Sequence, residues 1–257
     1  MDIEVYSIEG KTIKTITLPP VFETPFRPDL IKRAVIAMQT SILQPYGPSP
    51  SSGLKTSAES MGVGRGIARA PRVKGSGSPS ASRGARAPFS VGGRPTHPPT
   101  PQKKLKEKIN KSERRLAIKS AIAATSNHVL VMARGHAVSD VLNIPLVVED
   151  KLESISTTRS MISVLHDLGA WNDVLRAKNG RKVRAGKGKR RGRKYKMPKG
   201  PLVVVNSDLG IVRGATNLPG LEVVKVAKLN ASLLAPGTMP GRFTIWTESA
   251  IKALEST

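Results

Sequence analysis

The chain of 257 residues holds 42 Lys and Arg against 18 Asp and Glu, a formal net charge of +24, and no cysteine. Such an excess of cations points to a polyanionic partner, nucleic acid first, and the missing thiols exclude disulfides, thiolate zinc sites and cysteine nucleophiles and fit a reducing compartment. No run approaches the roughly 18 apolar residues of a spanning helix. The cationic stretches lack the aromatics of an interfacial anchor, and Met1-Asp2-Ile3-Glu4 has neither the basic start nor the apolar stretch of a secretory signal, so no membrane partner is expected.

In chain order, Val5 to Leu18 predicts paired strands, with Val5, Ile8, Ile13 and Ile16 flanking a turn at Glu9-Gly10-Lys11 and Pro19-Pro20 ending the pair. Pro28 opens a helix where its missing N–H costs little. Leu30, Ile31, Ala34, Val35, Met38 and Ile42 form its apolar stripe, and Pro45 and Gly47 stop it. From Tyr46 to Pro101 Gly, Pro, Ser, Ala and Arg dominate and hydrophobic periodicity vanishes. A stretch this long without an element is functional or disordered, and alone in water it lacks the apolar surface to offset chain entropy.

Order returns at Ser112, read as an N-cap before Glu113, with Ile118, Ala121, Ile122 and Thr125 on one helical face. Val129 to Met132 reads as a short strand or a continuation of that helix. Ile144 to Val148 reads as a buried strand. A helix from Thr157 or Thr158 carries Met161, Val164, Leu165 and Leu168, with Gly169 at its C′ position. Trp171 to Ala177 is a short helix; Trp171 and Trp246 both read as core. Leu202 to Val205 is a central parallel strand, Leu221 to Val226 another, Asn230 to Ala235 a short helix, and Phe243 to Trp246 a last strand before a helix capped by Thr247. Strands alternating with helices predict an α/β fold, a mainly parallel sheet flanked by helices.

The charge is concentrated in two windows. Tyr46 to Ser112 holds 13 basic and 2 acidic residues, and Lys178 to Lys199 holds 12 basic and none acidic. The remaining 168 residues carry 17 basic and 16 acidic, a nearly neutral body large enough for one domain core. The expected organisation is therefore a body of residues 1–45 and 112–257, an extended arm over 46–111 inserted in it, and a basic anchoring loop over 178–199 within it.

Within the first window, Gly62-Val63-Gly64-Arg65-Gly66 is not a dinucleotide loop, because no strand precedes it and Pro71 follows soon after. Gly62, Gly64 and Gly66 suit a backbone that adopts positive φ and approaches a large surface closely. Arg65, Arg69, Arg72, Lys74, Arg83, Arg86 and Arg94 supply phosphate donors; the bland alternative is a flexible tether with solvated charges. In the second window Gly186-Lys187 imitates a phosphate loop, but its spacing from Gly180 is one residue too long and Gly188 stands where Ser or Thr should hold magnesium. Arg184, Lys187, Lys189, Arg190, Arg191 and Arg193 are expected to bind RNA phosphates. Blocks of like charge self-repel and stay extended until neutralised, and their binding should weaken steeply with salt. An import signal or nonspecific patch is the alternative there.

Chemistry-bearing constellations are otherwise absent from the sequence. His97, His128, His136 and His166 have no ligand spacing, Ser139-Asp140 has no nucleophile elbow, Asp167 stands alone, and adjacent Glu149 and Asp150 would point to opposite faces of a strand end. No catalytic residue, metal or cofactor is expected. Phe89 and Tyr195 are the segments' candidates for base stacking; a single-strand reader would carry more aromatics, whereas Arg/Lys/Gly-rich, aromatic-poor arms suit the grooves and junctions of folded RNA.

Several stretches resemble one family, the universal large-subunit ribosomal protein number four in its archaeal/eukaryotic form. Gly62 to Gly75 is similar to its G-x-G-R-x-x-A-R-x-P-R-V-x-G arm motif, Gly92-Gly93-Arg94 to the return limb, Asn110 to Ala124 to its N-x-x-E-R-R-x-A-I-x-S-A-x-A-A helix, and Arg184 to Lys189 to its R-x-G-K-G-K loop. Gly214 to Leu254 carries the most specific matches, Asn217-Leu218-Pro219-Gly220-Leu221-Glu222-Val223 and Gly241-Arg242-Phe243-Thr244-Ile245-Trp246-Thr247-Glu248-Ser249-Ala250. Met61 departs from the basic residue that bacterial members carry before the first arm glycine.

The resemblance implies a structural, non-enzymatic protein of the cytoplasmic ribosome that binds 23S-type rRNA. It implies an arm that penetrates the rRNA and lines the exit tunnel beside the L-twenty-two family protein and the nascent peptide, and a role in subunit assembly. Read with the resemblance, Ser76 to Ser82, where charge drops out, is the expected lumen-facing or tightly packed arm tip; by length, a hairpin-like excursion has two limbs of roughly 27 residues that reach on the order of 90 Å at most. The competing reading is a free regulatory RNA- or DNA-binding protein, such as a repressor of its own message.

Overall fold

The computed structural model describes residues 2–255. Contacts divide the chain into two units, Met1–Gln39 with Glu107–Thr257, and Thr40–Lys106.

In the first unit six strands, β1 (Asp2–Tyr6), β2 (Thr12–Thr17), β3 (Leu146–Val148), β6 (Leu202–Val205), β7 (Glu222–Lys225) and β8 (Thr244–Thr247), form one sheet in the order β2-β1-β3-β8-β6-β7. The remaining strands, β4 (Lys182–Val183) and β5 (Tyr195–Lys196), pair separately. Every neighbour in the large sheet is parallel except β2, which pairs antiparallel with β1 through the predicted turn at Gly10. The α/β class read from the alternating pattern holds.

The sheet is covered on both faces by the helices α1 (Pro28–Ile42), α2 (Lys111–Thr125), α3 (His128–Ala133), α4 (Thr158–Asp167), α5 (Trp171–Asn179), α6 (Ile211–Ala215), α7 (Ala231–Leu234) and α8 (Glu248–Glu255). Strand periodicity sorts the core. Val147, Leu202, Val204 and Trp246 join Ile31 and Val35 of α1, Ala121 and Ile122 of α2, and Ile251 of α8. Their strand neighbours Leu146, Val148, Val203, Val205 and Ile245 join Val131 of α3, Met161 and Leu165 of α4, Val174 of α5 and Ile211 of α6. This two-faced burial is why β3, β6 and β8 read as continuous apolar runs. Each fully buried side chain such as Leu165 contributes roughly 1.5–3 kcal/mol. Trp246 is fully buried and meets Phe22 edge-on, with ring centroids 5.6 Å apart.

Several local expectations need correction. The cap of α2 is Asn110, not Ser112, because the helix already begins at Lys111. Val129 to Met132 is neither strand nor continuation; it lies in the separate helix α3, whose first N–H groups at Val129 and Leu130 are accepted by Asn127 Oδ1. Ile42, counted in the α1 stripe, is 83% exposed at the helix end. Trp171 is only partly buried, packed against the core beside His166. Helix α6 follows Asp208, whose carboxylate accepts from Gly210 N and Val212 N.

Candidate nucleic-acid interface

Helix α5 leads directly into the second basic window. The window does not stay extended as its charge density suggested. It folds into the β4–β5 hairpin, with Lys182 opposite Lys196 and Val183 opposite Tyr195, and with a 3-10 turn over Lys187–Arg190 at its end. Like charges directly opposite are unfavourable. Against that repulsion stand the backbone bonds of Arg184 N to Lys194 O at 2.8 Å and Arg193 N to Gly188 O at 3.2 Å, and the Arg181 guanidinium stacked 4.1 Å over the Tyr195 ring. Tyr195 therefore offers a base less free ring surface than its sequence position suggested. Arg184 folds inward, its Nε donating to Arg193 O. Lys187, Lys189, Arg190, Arg191 and Arg193 are exposed.

The second unit carries the arm. Residues 58–60, 70–74 and 82–86 lie side by side as three antiparallel limbs. Glu59 and Arg72 exchange backbone bonds of 3.0 and 2.9 Å, Val73 N donates to Arg83 O and Ala85 N to Pro71 O. The two-limbed hairpin expected from the sequence thus gains a third limb. Successive turns of an antiparallel ribbon fall at opposite ends, so the arm has two tips: the glycine loop around Gly62, Gly64 and Gly66, and the serine-rich loop from Ser76 to Ser82. The three glycines have φ of +75, +81 and +66°, which L side chains rarely adopt, and no described residue lies within 4 Å of where their Cβ atoms would stand. Their need for glycine is conformational, and the space before them is open.

The arm's cations divide into two sets. Arg72 Nη1 donates to Ser82 O and Arg86 Nη1 to Ala58 O, so both brace the ribbon; Lys74 pairs with Glu59 at 2.5 Å. Arg65, Arg69, Arg83 and Arg94 are exposed. Phe89 is also exposed.

The body treats its charges differently, and here residues to which the sequence reading gave no binding or structural role come forward. Arg242, just before β8, is fully buried. Its guanidinium donates to Gly200 O at 3.0 Å, Leu233 O at 2.9 Å and Glu222 Oε2 at 2.7 Å. Burial pushes its pKa down and Glu222 pulls it back up. Glu153, also buried, lies at the carboxyl ends of β6 and β8. It accepts from Asn206 N (2.8 Å), Ser207 Oγ (2.6 Å), Thr247 Oγ1 (2.9 Å) and Ser249 Oγ (3.1 Å). Open α/β sheets usually bind ligands at that edge; here one carboxylate ties the strand ends together. Asp173, fully buried on α5, accepts from His136 Nδ1 (2.9 Å), Ala137 N (3.0 Å) and Arg176 Nε (2.7 Å). Burial holds the His136 pKa below its usual value against the opposing pull of Asp173; an ionised carboxylate only accepts, so the Nδ1 that meets it is the donor. No helix among the described residues is long and apolar enough to cross a membrane, and no group of three or more His, Asp or Glu among them is placed to hold a metal.

Exposed cations on a hairpin and on a glycine-rich ribbon, and a body whose fully buried charges are compensated internally, are the arrangement that a polyanion-binding protein needs. The model of the Ribosomal protein L4/L1 family matches residues 16–257, and the chain belongs to that family, one of structural, non-enzymatic ribosomal proteins. It is similar to the large ribosomal subunit protein uL4 of Methanosphaera stadtmanae, 54% identical over 252 residues, covering 98% of this chain and 95% of that one. The uL4 proteins of Methanopyrus kandleri (48% over 255 residues, 99% and 98% covered) and Methanothrix thermoacetophila (50% over 255 residues, 99% of each) are similar along the same span.

Proposed function

We propose that the chain is an rRNA-binding structural component of the large ribosomal subunit, with the basic loop as anchor and the arm as an extension into folded rRNA. The observation that carries this reading is the segregation of charge. Cations with no ion-pair partner among the described residues are displayed, exposed, on irregular segments, at Arg65, Arg69, Arg83 and Arg94 and at Lys187, Lys189, Arg190, Arg191 and Arg193. Such segments suit RNA read through shape and phosphate, not through a pocket. The names of the relatives support the large subunit as the setting. On this reading the arm tips lie beside the exit tunnel, near the L-twenty-two family protein and the nascent peptide, and the protein enters the subunit early in assembly.

The test is sedimentation with crosslinking. The protein should co-migrate with large subunits at low salt and crosslink to 23S-type rRNA through both segments. A protein that stays at the top of the gradient and crosslinks to no rRNA overturns the reading.

A further inference from the structure

A cleft of about 250 Å³ opens in the body, lined by Arg134, His136, Arg176, Pro198, Lys199 and Met239. None of these residues belongs to the arm or to the exposed tip of the basic loop. Two of them mark the loop's two roots: Arg176 lies on α5 as the chain enters it, and Lys199 is where the chain leaves it. The roots are pinned together, since Arg176 Nη2 donates to Lys199 O at 2.7 Å and a Cβ on Gly180 would come within 2.5 Å of Pro198.

The charges around the cleft do not balance. Arg134, Arg176 and Lys199 line it, and Arg242 lies close behind. Against these four cations stand two carboxylates: Asp173, engaged with His136 and Arg176, and Glu222, engaged with Arg242 and Lys199. Arg134 is the residue left over. It is half-buried, its guanidinium donates to the carbonyls of Pro236 and Met239, and among the described residues no carboxylate reaches it at ion-pair distance. Burial, with repulsion from Arg242 and Arg176, brings its pKa down to about 10. A half-buried guanidinium held by carbonyl dipoles and pressed by two others is costly unless an anion completes it.

We propose that this cleft is a phosphate site, taking one backbone phosphate of the RNA that runs along the basic loop, with Arg134 as its principal donor. The proposal rests on the RNA-binding reading above and adds to it a site in the folded body at the foot of the loop. A guanidinium suits a phosphate because its planar donors form paired charge-assisted bonds.

The experiment uses the full chain, its Arg134→Gln, Arg134→Lys and Lys199→Gln variants, and a 23S-type rRNA transcript, with affinity measured across a salt series. Arg134→Gln should weaken binding about tenfold and lower the log–log salt slope by about 0.7–0.9, the share of one phosphate; Arg134→Lys should restore most of the slope. In parallel, inorganic phosphate titrated into the free protein should shift the His136 ring resonances saturably, and the shift should vanish in Arg134→Gln. If Arg134→Gln does not fold, Lys199→Gln carries the same measurement, since Arg242 still holds Glu222 in that variant. Wild type that binds rRNA with a slope unchanged in Arg134→Gln and Lys199→Gln overturns the cleft and leaves the RNA-binding reading standing. Wild type that binds no rRNA overturns both. A slope loss in which Arg134→Lys behaves like Arg134→Gln, with no phosphate shift at His136, also overturns the site, because it marks the lost carbonyl contacts alone.

Discussion

Arg242 and Arg190 are the same side chain in two opposite situations. Arg242 is fully buried, and its guanidinium is matched by two carbonyls and a carboxylate at 2.7–3.0 Å. Arg190 stands exposed on the hairpin among further cations, in a window that holds no acid. The first situation holds elements together: Arg242 joins the start of β6, the edge strand β7 and helix α7. The second joins no elements and becomes useful only when a polyanion arrives and its counterions leave. A net charge of +24 is therefore a poor description of this protein, because Arg190 and Arg242 count alike in it while one is free to bind and the other holds the fold.

The largest expected effect tests the binding half of that contrast. Replacing Lys187, Lys189, Arg190, Arg191 and Arg193 together by Gln should lower the salt slope of rRNA binding by about 3.5–4.5 and the affinity at least about a hundredfold. The unfolding midpoint in urea should not move, because none of the five is buried. A variant that binds normally, or that unfolds, breaks the contrast.

Arg242→Met tests the folding half. It leaves the carbonyls of Gly200 and Leu233 without their donor and Glu222 with Lys199 alone. The expected loss is about 3 kcal/mol, or roughly 6–12 °C in the melting temperature of a domain this size. Below its transition the variant should lose no more of the salt slope than the share of one phosphate at the cleft, about 0.7–0.9.

These two experiments also mark what the sequence could and could not disclose. The sheet was legible because burial on both faces forces continuous apolar runs at Leu202 to Val205 and Phe243 to Trp246, and because Gly10 and Gly169 punctuate where the backbone needs positive φ. The cationic windows were legible because charge is counted directly. Their shapes were not. The three limbs of the arm depend on the backbone bonds of Glu59 with Arg72, Val73 with Arg83 and Ala85 with Pro71, which leave no side-chain pattern. The β4–β5 hairpin has two residues per strand, too few for alternation to register. Arg242 stood in a motif but gave no sign of burial, since a lone Arg before an apolar strand ordinarily faces solvent. Arg134, His136, Arg176 and Lys199 are scattered over 66 positions and meet only through the fold.

The smallest effect concerns Glu153 and tests whether the body's charges serve the fold alone. Burial pushes this carboxyl's pKa up, but the donors from Ser207, Asn206 and Thr247 outweigh burial and hold it below its usual 4.5. A carboxyl depressed in the folded state contributes stability that is fully present above its unfolded value and is lost as the pH falls through the lower, folded one. Glu153→Gln turns one oxygen into an amide that faces donors instead of accepting from them, so at pH 7 it should cost about 1–3 kcal/mol. The gap between wild type and variant in urea unfolding should narrow as the pH drops below about 4.5, where wild type loses the same ion. Other depressed carboxyls, Asp173 and Glu222 among them, make both proteins acid-labile, so the pH dependence of the difference, not of either curve, isolates Glu153. A gap that stays constant to pH 3 would mean the tie at the strand ends is not ionic. A change in the rRNA salt slope at pH 7 would mean that the body's buried charges are not insulated from binding, and the distinction between Arg242 and Arg190 would lose its generality.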